Sequence, residues 1–361
     1  MNFPGLDPSW ILSHRALYRG GLIQPWNLER CREETQKNAG ILVVAPTALG
    51  DTVLCTPLLR TLAENLGRER SGFLVKENCR ELYETDPHVG ILFTVSGKYR
   101  GWLDLRRQIL RRNYRIALIA NTTEPDLIPW LWHCGIRGFL RYRSRWSPWA
   151  DWFANRDMMR RPEEFGYATG HAIDNNLAMA EALQLVIKDR QLRLTLPNAQ
   201  TPAREPVILI HPGASRPRKR WPLDRWIFVA RTLLDQRPEA RVIVTGSKTE
   251  AADAGLLVDA LGPRALNRAG QWGLRDLLLE QSKALIFLSG DTGPYHMAVA
   301  VNCPTVTLFA PTDRGSSTEA CGPKYANPTR HATLEIASFD QDISSLSADS
   351  VCHTARTILG G

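Results

Sequence analysis

Mainly apolar runs of five to seven residues recur along this chain. Each is followed by small or turn-forming residues, then by a stretch with apolar positions at helical spacing. Eight stand out: ILVVA, SGFLV, GILFTV and IALIA before residue 125, then VILIH, RVIVTG, ALIFLSG and TVTLFA after residue 206. Such runs read as strands buried on both faces, and their alternation with helices predicts parallel βαβ construction. They fall into two groups, and 361 residues exceed the usual single-domain range, so two domains are expected. The stretch LPNAQTPAREP, residues 196–206, reads as the linker because it is rich in proline and small polar residues. Upstream of the first run, PSWILSHRALYRGGL predicts a short amphipathic helix ended by Gly20-Gly21, and NLERCREETQK a polar one. Residues 347–359 also read as a helix, and no short-period repeat is present.

Three of the strand-to-helix turns carry chemistry. After ALIFLSG come Asp291, Thr292, Gly293 and Pro294, with the proline at the entrance of a helix where its missing N–H costs nothing. The free N–H groups of such a first turn, with the positive end of the macrodipole, suit a phosphate. The plain alternative is that Asp291 or Thr292 only caps the helix. VILIH breaks into a loop bearing Arg216, Arg218, Lys219 and Arg220, a cationic edge able to clamp a diphosphate. ILVVA leads through a small-residue loop to Asp51 at a third helix entrance.

These stretches together resemble glycosyltransferase family 9, the ADP-heptose:lipopolysaccharide heptosyltransferases and their relatives. The matching residues are Gly50-Asp51 followed by Thr56-Pro57-Leu58-Leu59, the HPGAS-x-x-x-KRWP loop at 211–222, and DTGP-x-H at 291–296. HAIDNNLAMAEALQL at 171–185 and PTVTLFAPTD at 304–313 add to the likeness, which spans roughly residues 40–323. The resemblance implies an α/β fold of the GT-B type, two Rossmann-like domains with parallel sheets facing across a cleft. Residues 1–40 would then be an extension, 41–200 the acceptor domain and 201–340 the nucleotide-sugar domain. The helix in 341–361 would pack back on the N-terminal domain.

The resemblance also implies inverting, metal-independent transfer of heptose from ADP-L-glycero-β-D-manno-heptose to a lipopolysaccharide core acceptor. Asp51 is the expected base, because a carboxylate at a helix entrance can take the acceptor proton as attack proceeds. Its alternative is a helix cap. Lys219 is the expected stabiliser of the departing diphosphate, with help from the N–H groups after Asp291. Ser215, Asp291, Thr292, Gly293 and Pro294 would line the phosphates. His296 could join them or be a packed histidine. Glu250 stands where the family's ribose-binding acid lies, although an exposed helix acid fits as well, and residues 267–272 (NRAGQW) look like the base-binding loop. A protein acceptor, as in autotransporter heptosyltransferases, another nucleotide sugar, and a non-catalytic nucleotide-binding scaffold are the alternatives. No cofactor is expected beyond the donor substrate.

Charge changes the picture in one region. Between Lys98 and Arg161 stand fourteen Lys/Arg against five acids, an excess that accounts for the whole net charge of +8. Trp102, Trp130, Trp132, Trp146, Trp149 and Trp152 are interleaved with these cations. Such a mixture suits an anionic glycolipid acceptor or an anionic membrane surface, with Arg141, Arg143 and Arg145 as acceptor-binding candidates. The plain alternative is a solvated basic face over buried tryptophans. No nucleic-acid module is recognisable. Seven scattered cysteines without a C-x-x-C pair point to a reducing cytoplasm and give no spacing for a metal. No run spans a bilayer and the start lacks a secretory pattern, so a cytoplasmic, peripheral protein is expected.

Overall fold

Each group of apolar runs closes into one parallel sheet. The computed structural model describes residues 8–97, 101–120, 127–141, 170–196, 203–311, 317–338 and 340–360. In the first unit β1 (Gly40–Val44), β2 (Ser71–Lys76), β3 (Ile91–Val95), β4 (Tyr114–Ile119) and β5 (Gly138–Leu140) form a sheet of order β3-β2-β1-β4-β5. In the second, β6 (Val207–His211), β7 (Arg241–Val244), β8 (Ala265–Asn267), β9 (Ile286–Gly290), β10 (Thr305–Phe309) and β11 (His331–Glu335) are ordered β11-β10-β9-β6-β7-β8. Every pairing is parallel, for example Val44 with Leu74 and Ile119, and Ile210 with Val244 and Leu288.

Both sheets reverse their order beside their first strand, between β1 and β4 and between β6 and β9. At such a switch point the flanking connections leave in opposite directions and open a crevice outside the carboxyl ends of the strands. The residues delivered there are 45–51 in the first unit, and 212–219 with 291–293 in the second. β1, β6 and β9 are buried along their whole length, which anchors those loops on rigid cores. Cutting Ile210 or Leu288, each fully buried, back to alanine would cost about 2–5 kcal/mol.

The chain divides between Arg190 and Gln191. Arg190 is tied to the first unit by ion pairs to Asp174 (3.0 Å) and Glu181 (2.9 Å). The next residues already belong to the second, where Leu194 N–H donates to Ala300 O. Of the stretch read as a linker, 197–202 lie outside the described residues. The upstream segment forms helices Pro8–Arg19 and Leu28–Gln36, the latter capped by the Asn27 side chain. This second helix is part of the first unit: Cys31 and Thr35 are buried, Arg32 Nε donates to Ala182 O, and a Cβ on Gly138 would come within 2.6 Å of Cys31 Sγ.

The C-terminal helix, Ala348–Leu359, buries Val351, Cys352 and Ala355 in the core of the second unit. The amphipathic helix lies on helix Leu223–Gln236 and is fastened there by Arg237 Nη2 to Leu359 O (3.1 Å) and Arg356 Nε to Gln236 Oε1 (3.2 Å). Trp221 Nε1, donating to Leu346 O at 3.0 Å, secures the turn before it.

Candidate active site

In the second unit the fold joins two of the three sequence motifs. Lys219 ends a short 3-10 turn, Pro217–Lys219, and its Nζ donates to Asp291 Oδ2 at 2.5 Å. Both side chains are largely enclosed, 13% and 8% exposed, so this ion pair between residues 72 positions apart escapes most solvent screening. The approach needs Gly290, where a Cβ would stand 3.3 Å from Lys219 O. Asp291 N–H donates to Leu308 O and Gln281 Nε2 to Pro294 O (2.8 Å), which fixes the loop from both sides. The other cations of the 216–220 loop have different work: Arg218 reaches Gln341 O and Arg220 folds back on Ala214 O.

Helix Gly293–Ala300 begins immediately after. Thr292 is its N-cap residue but makes no side-chain cap, and its buried Oγ1 has no hydrogen-bond partner among the described residues. Pro294 is the second helical residue. The capping alternative for Asp291 thus gives way, since its carboxylate faces Lys219. His296 is 5% exposed, stacks at 4.7 Å on buried Tyr295, and holds Nε2 4.0 Å from Asp291 Oδ1. It is a packed histidine that nevertheless borders the Asp291 carboxylate. Ser215 is exposed on the adjoining loop.

Glu250 belongs to the same end of the sheet. It closes a capping box with Ser247, accepting from the backbone N–H at 2.7 Å and the hydroxyl at 2.8 Å. Its carboxylate lies against Gly213, where a Cβ would stand 2.0 Å from Oε1, so a side chain at that position would displace the carboxylate. Burial raises the Glu250 pKa, but the Ser247 hydrogen bonds and the charges of His211 and Arg220 outweigh it and hold the group below the ordinary carboxylate value. Burial likewise keeps His211 below its ordinary value against the pull of Glu250. Gly270 (φ +72°) lets the 267–272 loop approach Lys248, and its N–H donates to Gly246 O.

In the first unit Asp51 is the third residue of the short helix Leu49–Val53, whose N-cap is Ala48. The reading of Asp51 as a cap therefore falls away. Thr47 Oγ1 donates to Asp51 Oδ2 at 2.9 Å and sets the carboxylate's orientation. The turn behind it is held by Asn176 Nδ2 on Leu54 O (3.0 Å) and by Thr52 Oγ1 against Tyr83 Oη (2.8 Å). Asn176 comes from helix Ala172–Ala182, so the 171–185 motif acts here as a brace. Thr47 escaped the sequence reading because it carries no signal beyond a hydroxyl four residues before an acid.

The basic region is only partly described. Arg141 is 5% exposed, directly after β5. Arg143 and Arg145 lie outside the described residues, as do Trp146, Trp149 and Trp152. Trp102 and Trp130 are buried against each other at 4.8 Å, and Arg137 covers Trp132 at 4.1 Å. Among the described residues no helix is long and apolar enough to cross a membrane.

Comparison with known proteins agrees with this geometry. Residues 102–333 match glycosyltransferase family 9 (heptosyltransferase). Lipooligosaccharide heptosyltransferase 2 of Haemophilus ducreyi is 25% identical over 334 residues, covering 83% of this chain and 89% of the relative. The glycosyl transferase family 9 structure from Veillonella parvula superposes with a TM-score of 0.70 at 19% identity, over 89% of this chain and 97% of that one. ADP-heptose LPS heptosyltransferase II of Escherichia coli gives 0.68 at 18% identity, over 89% and 98%. The fold is the α/β GT-B type, and with the family match spanning well over half its length the chain belongs to glycosyltransferase family 9 and is a glycosyltransferase.

Proposed function

We propose that this enzyme transfers heptose from ADP-L-glycero-β-D-manno-heptose to the core of lipopolysaccharide, with inversion and without a metal ion in the reaction. The observation that carries the reading is the enclosed Lys219–Asp291 pair at the β6/β9 switch point, beside the first turn of helix Gly293–Ala300. A diphosphate placed there meets the Lys219 ammonium, the Thr292 hydroxyl and the N–H of Gly293, a preorganised set that can take up charge as the donor breaks. The family match and the heptosyltransferase relatives support heptose as the sugar and lipopolysaccharide as the acceptor.

In this reaction an acceptor hydroxyl attacks the anomeric carbon from the face opposite the diphosphate. The new C–O bond forms as the bond to the β-phosphate oxygen breaks. Asp51 accepts the hydroxyl proton, and ADP leaves with the electron pair, stabilised by Lys219. Glu250 and the 267–272 loop are assigned to the nucleoside, and Ser215 with residues 291–294 to the phosphates. Arg143 and Arg145, with enclosed Arg141, are assigned to the anionic acceptor, at the cytoplasmic membrane face. The test is a panel of nucleotide sugars assayed for thermal shift and for turnover on heptose-free core lipopolysaccharide. ADP-heptose should be preferred and EDTA should leave its rate nearly intact. Preference for another donor, or a rate abolished by EDTA and restored by magnesium, would contradict the reading.

A further inference from the structure

Cys321 stands apart from the other cysteines. Six of the seven are buried, and burial pushes the thiols of Cys31, Cys134 and Cys303 up to about 12, which makes them inert packing groups. Cys321 is half-buried at the end of a short helix, Thr318–Cys321, which the Ser317 side chain caps and Glu335 of β11 holds through the Thr318 N–H. Its Sγ lies 4.0 Å from Asp291 Oδ1, and His296 Nε2 lies 4.0 Å from that same oxygen. One ligating atom from each of Asp291, His296 and Cys321 falls within 4.8 Å of the others. No spacing in the sequence announces this trio, because the three residues come from a strand end, a helix's first turn and a separate short helix.

We propose that Asp291, His296 and Cys321 bind a thiophilic divalent cation, zinc in the first instance. Around a tetrahedral zinc with bonds of about 2.0–2.3 Å one sulfur and two lighter ligand atoms lie about 3.3–3.5 Å apart, so atoms now within 4.8 Å of one another need to close by up to about 1.3 Å. Carboxylate, imidazole and thiolate are zinc donors, and the two anions among them match the ion's double charge. Water completes the fourth position. Asp291 can serve the ion and Lys219 together, since Lys219 engages Oδ2 while the cluster gathers around Oδ1. His296 is already enclosed, at 5% exposure and in tilted contact with the fully buried Tyr295 ring, which limits the ordering cost of binding. On binding, the Cys321 thiol passes its proton to solvent, so affinity rises with pH. The site shares Asp291 with the proposed donor cradle but takes no step in the transfer.

The test uses the full chain, freed of metal with a chelator and titrated with Co²⁺. One equivalent should produce a thiolate-to-cobalt charge-transfer band and the intense visible bands of four-coordinate cobalt, both erased by Zn²⁺. Cys321→Ser, at a half-exposed position, should keep the wild-type melting curve, lose the charge-transfer band and bind Zn²⁺ at least about tenfold more weakly. Zn²⁺ should also protect Cys321 of the wild-type protein from alkylation, read by peptide mass spectrometry, which needs no variant. A band that never appears at saturating Co²⁺, one that survives Cys321→Ser, or alkylation indifferent to Zn²⁺ would overturn the site.

Discussion

The two switch points of this enzyme are built in different ways. In the second unit the charged pair spans 72 residues and joins the carboxyl ends of two adjacent strands, enclosed on both sides. In the first, Asp51 is oriented by a neighbour only four residues away, on a short helix braced from behind by Asn176. A site made of long-range pairs holds its charge only while the sheet is intact, which suits a fixed anion cradle. A carboxylate supported from within its own turn stays half-exposed, which suits a group that must take up a proton. On the proposed reading, donor charge falls to one unit and proton transfer to the other.

The sharpest way to break this division is Asp51→Asn. The amide keeps the shape and the Thr47 hydrogen bond but cannot accept the proton, so turnover should fall by about 10²- to 10⁴-fold in a steady-state transfer assay, with donor KM little changed. Activity within a few-fold of wild type would move the base elsewhere. Lys219→Ala comes next. Losing the ammonium leaves the Asp291 carboxylate without this partner beside the diphosphate, and kcat/KM for the donor should fall by about 10²- to 10³-fold. Unchanged donor kinetics would remove the 216–220 loop from the site.

Acid should separate the units further. His331 of β11 is held down to about 4 by burial and by the charges of Arg330 and Arg204, against an ordinary value of 6.5. Its folded form therefore stays neutral while the unfolded chain binds a proton, so its share of stability is complete above about pH 6.5 and is lost as pH falls toward 4. Between about pH 7.5 and 5 this amounts to roughly 2 kcal/mol. Urea unfolding at both pH values should show that loss in the wild type and a smaller one in His331→Asn. Equal losses would mean His331 titrates normally. The smallest effect is expected from Arg143→Gln with Arg145→Gln, a rise of several-fold in acceptor KM and weaker binding to anionic vesicles, at about 1 kcal/mol per basic residue near such a surface. Salt should mimic it, and kinetics blind to both would return the region to a solvated basic face.

Much of this architecture was legible in the sequence. All eight apolar runs became strands; seven lie inside a parallel sheet, where burial on both faces calls for mainly apolar sequence, and the eighth, β3, is an edge strand. The strands that escaped notice, β5, β8 and β11, all lie at sheet edges, where three residues or a half-exposed pattern suffice. Asp51, Lys219 and Asp291 were found through their motifs, but spacing could not show that Lys219 and Asp291 meet, because that contact exists only once β6 and β9 are neighbours. The same limit hid Cys321. The enclosure of Arg141 was not legible, because a basic, aromatic-rich segment does not show in sequence which of its cations stands at the end of a strand.

The most direct test of the division is ADP binding by calorimetry to three proteins: wild type, Lys219→Ala and Asp51→Asn. The account expects ADP affinity to drop at least about tenfold in Lys219→Ala, where a charge-assisted contact to the diphosphate is lost, and to stay at the wild-type value in Asp51→Asn. Full ADP affinity without the Lys219 ammonium, or a loss confined to Asp51→Asn, would contradict it.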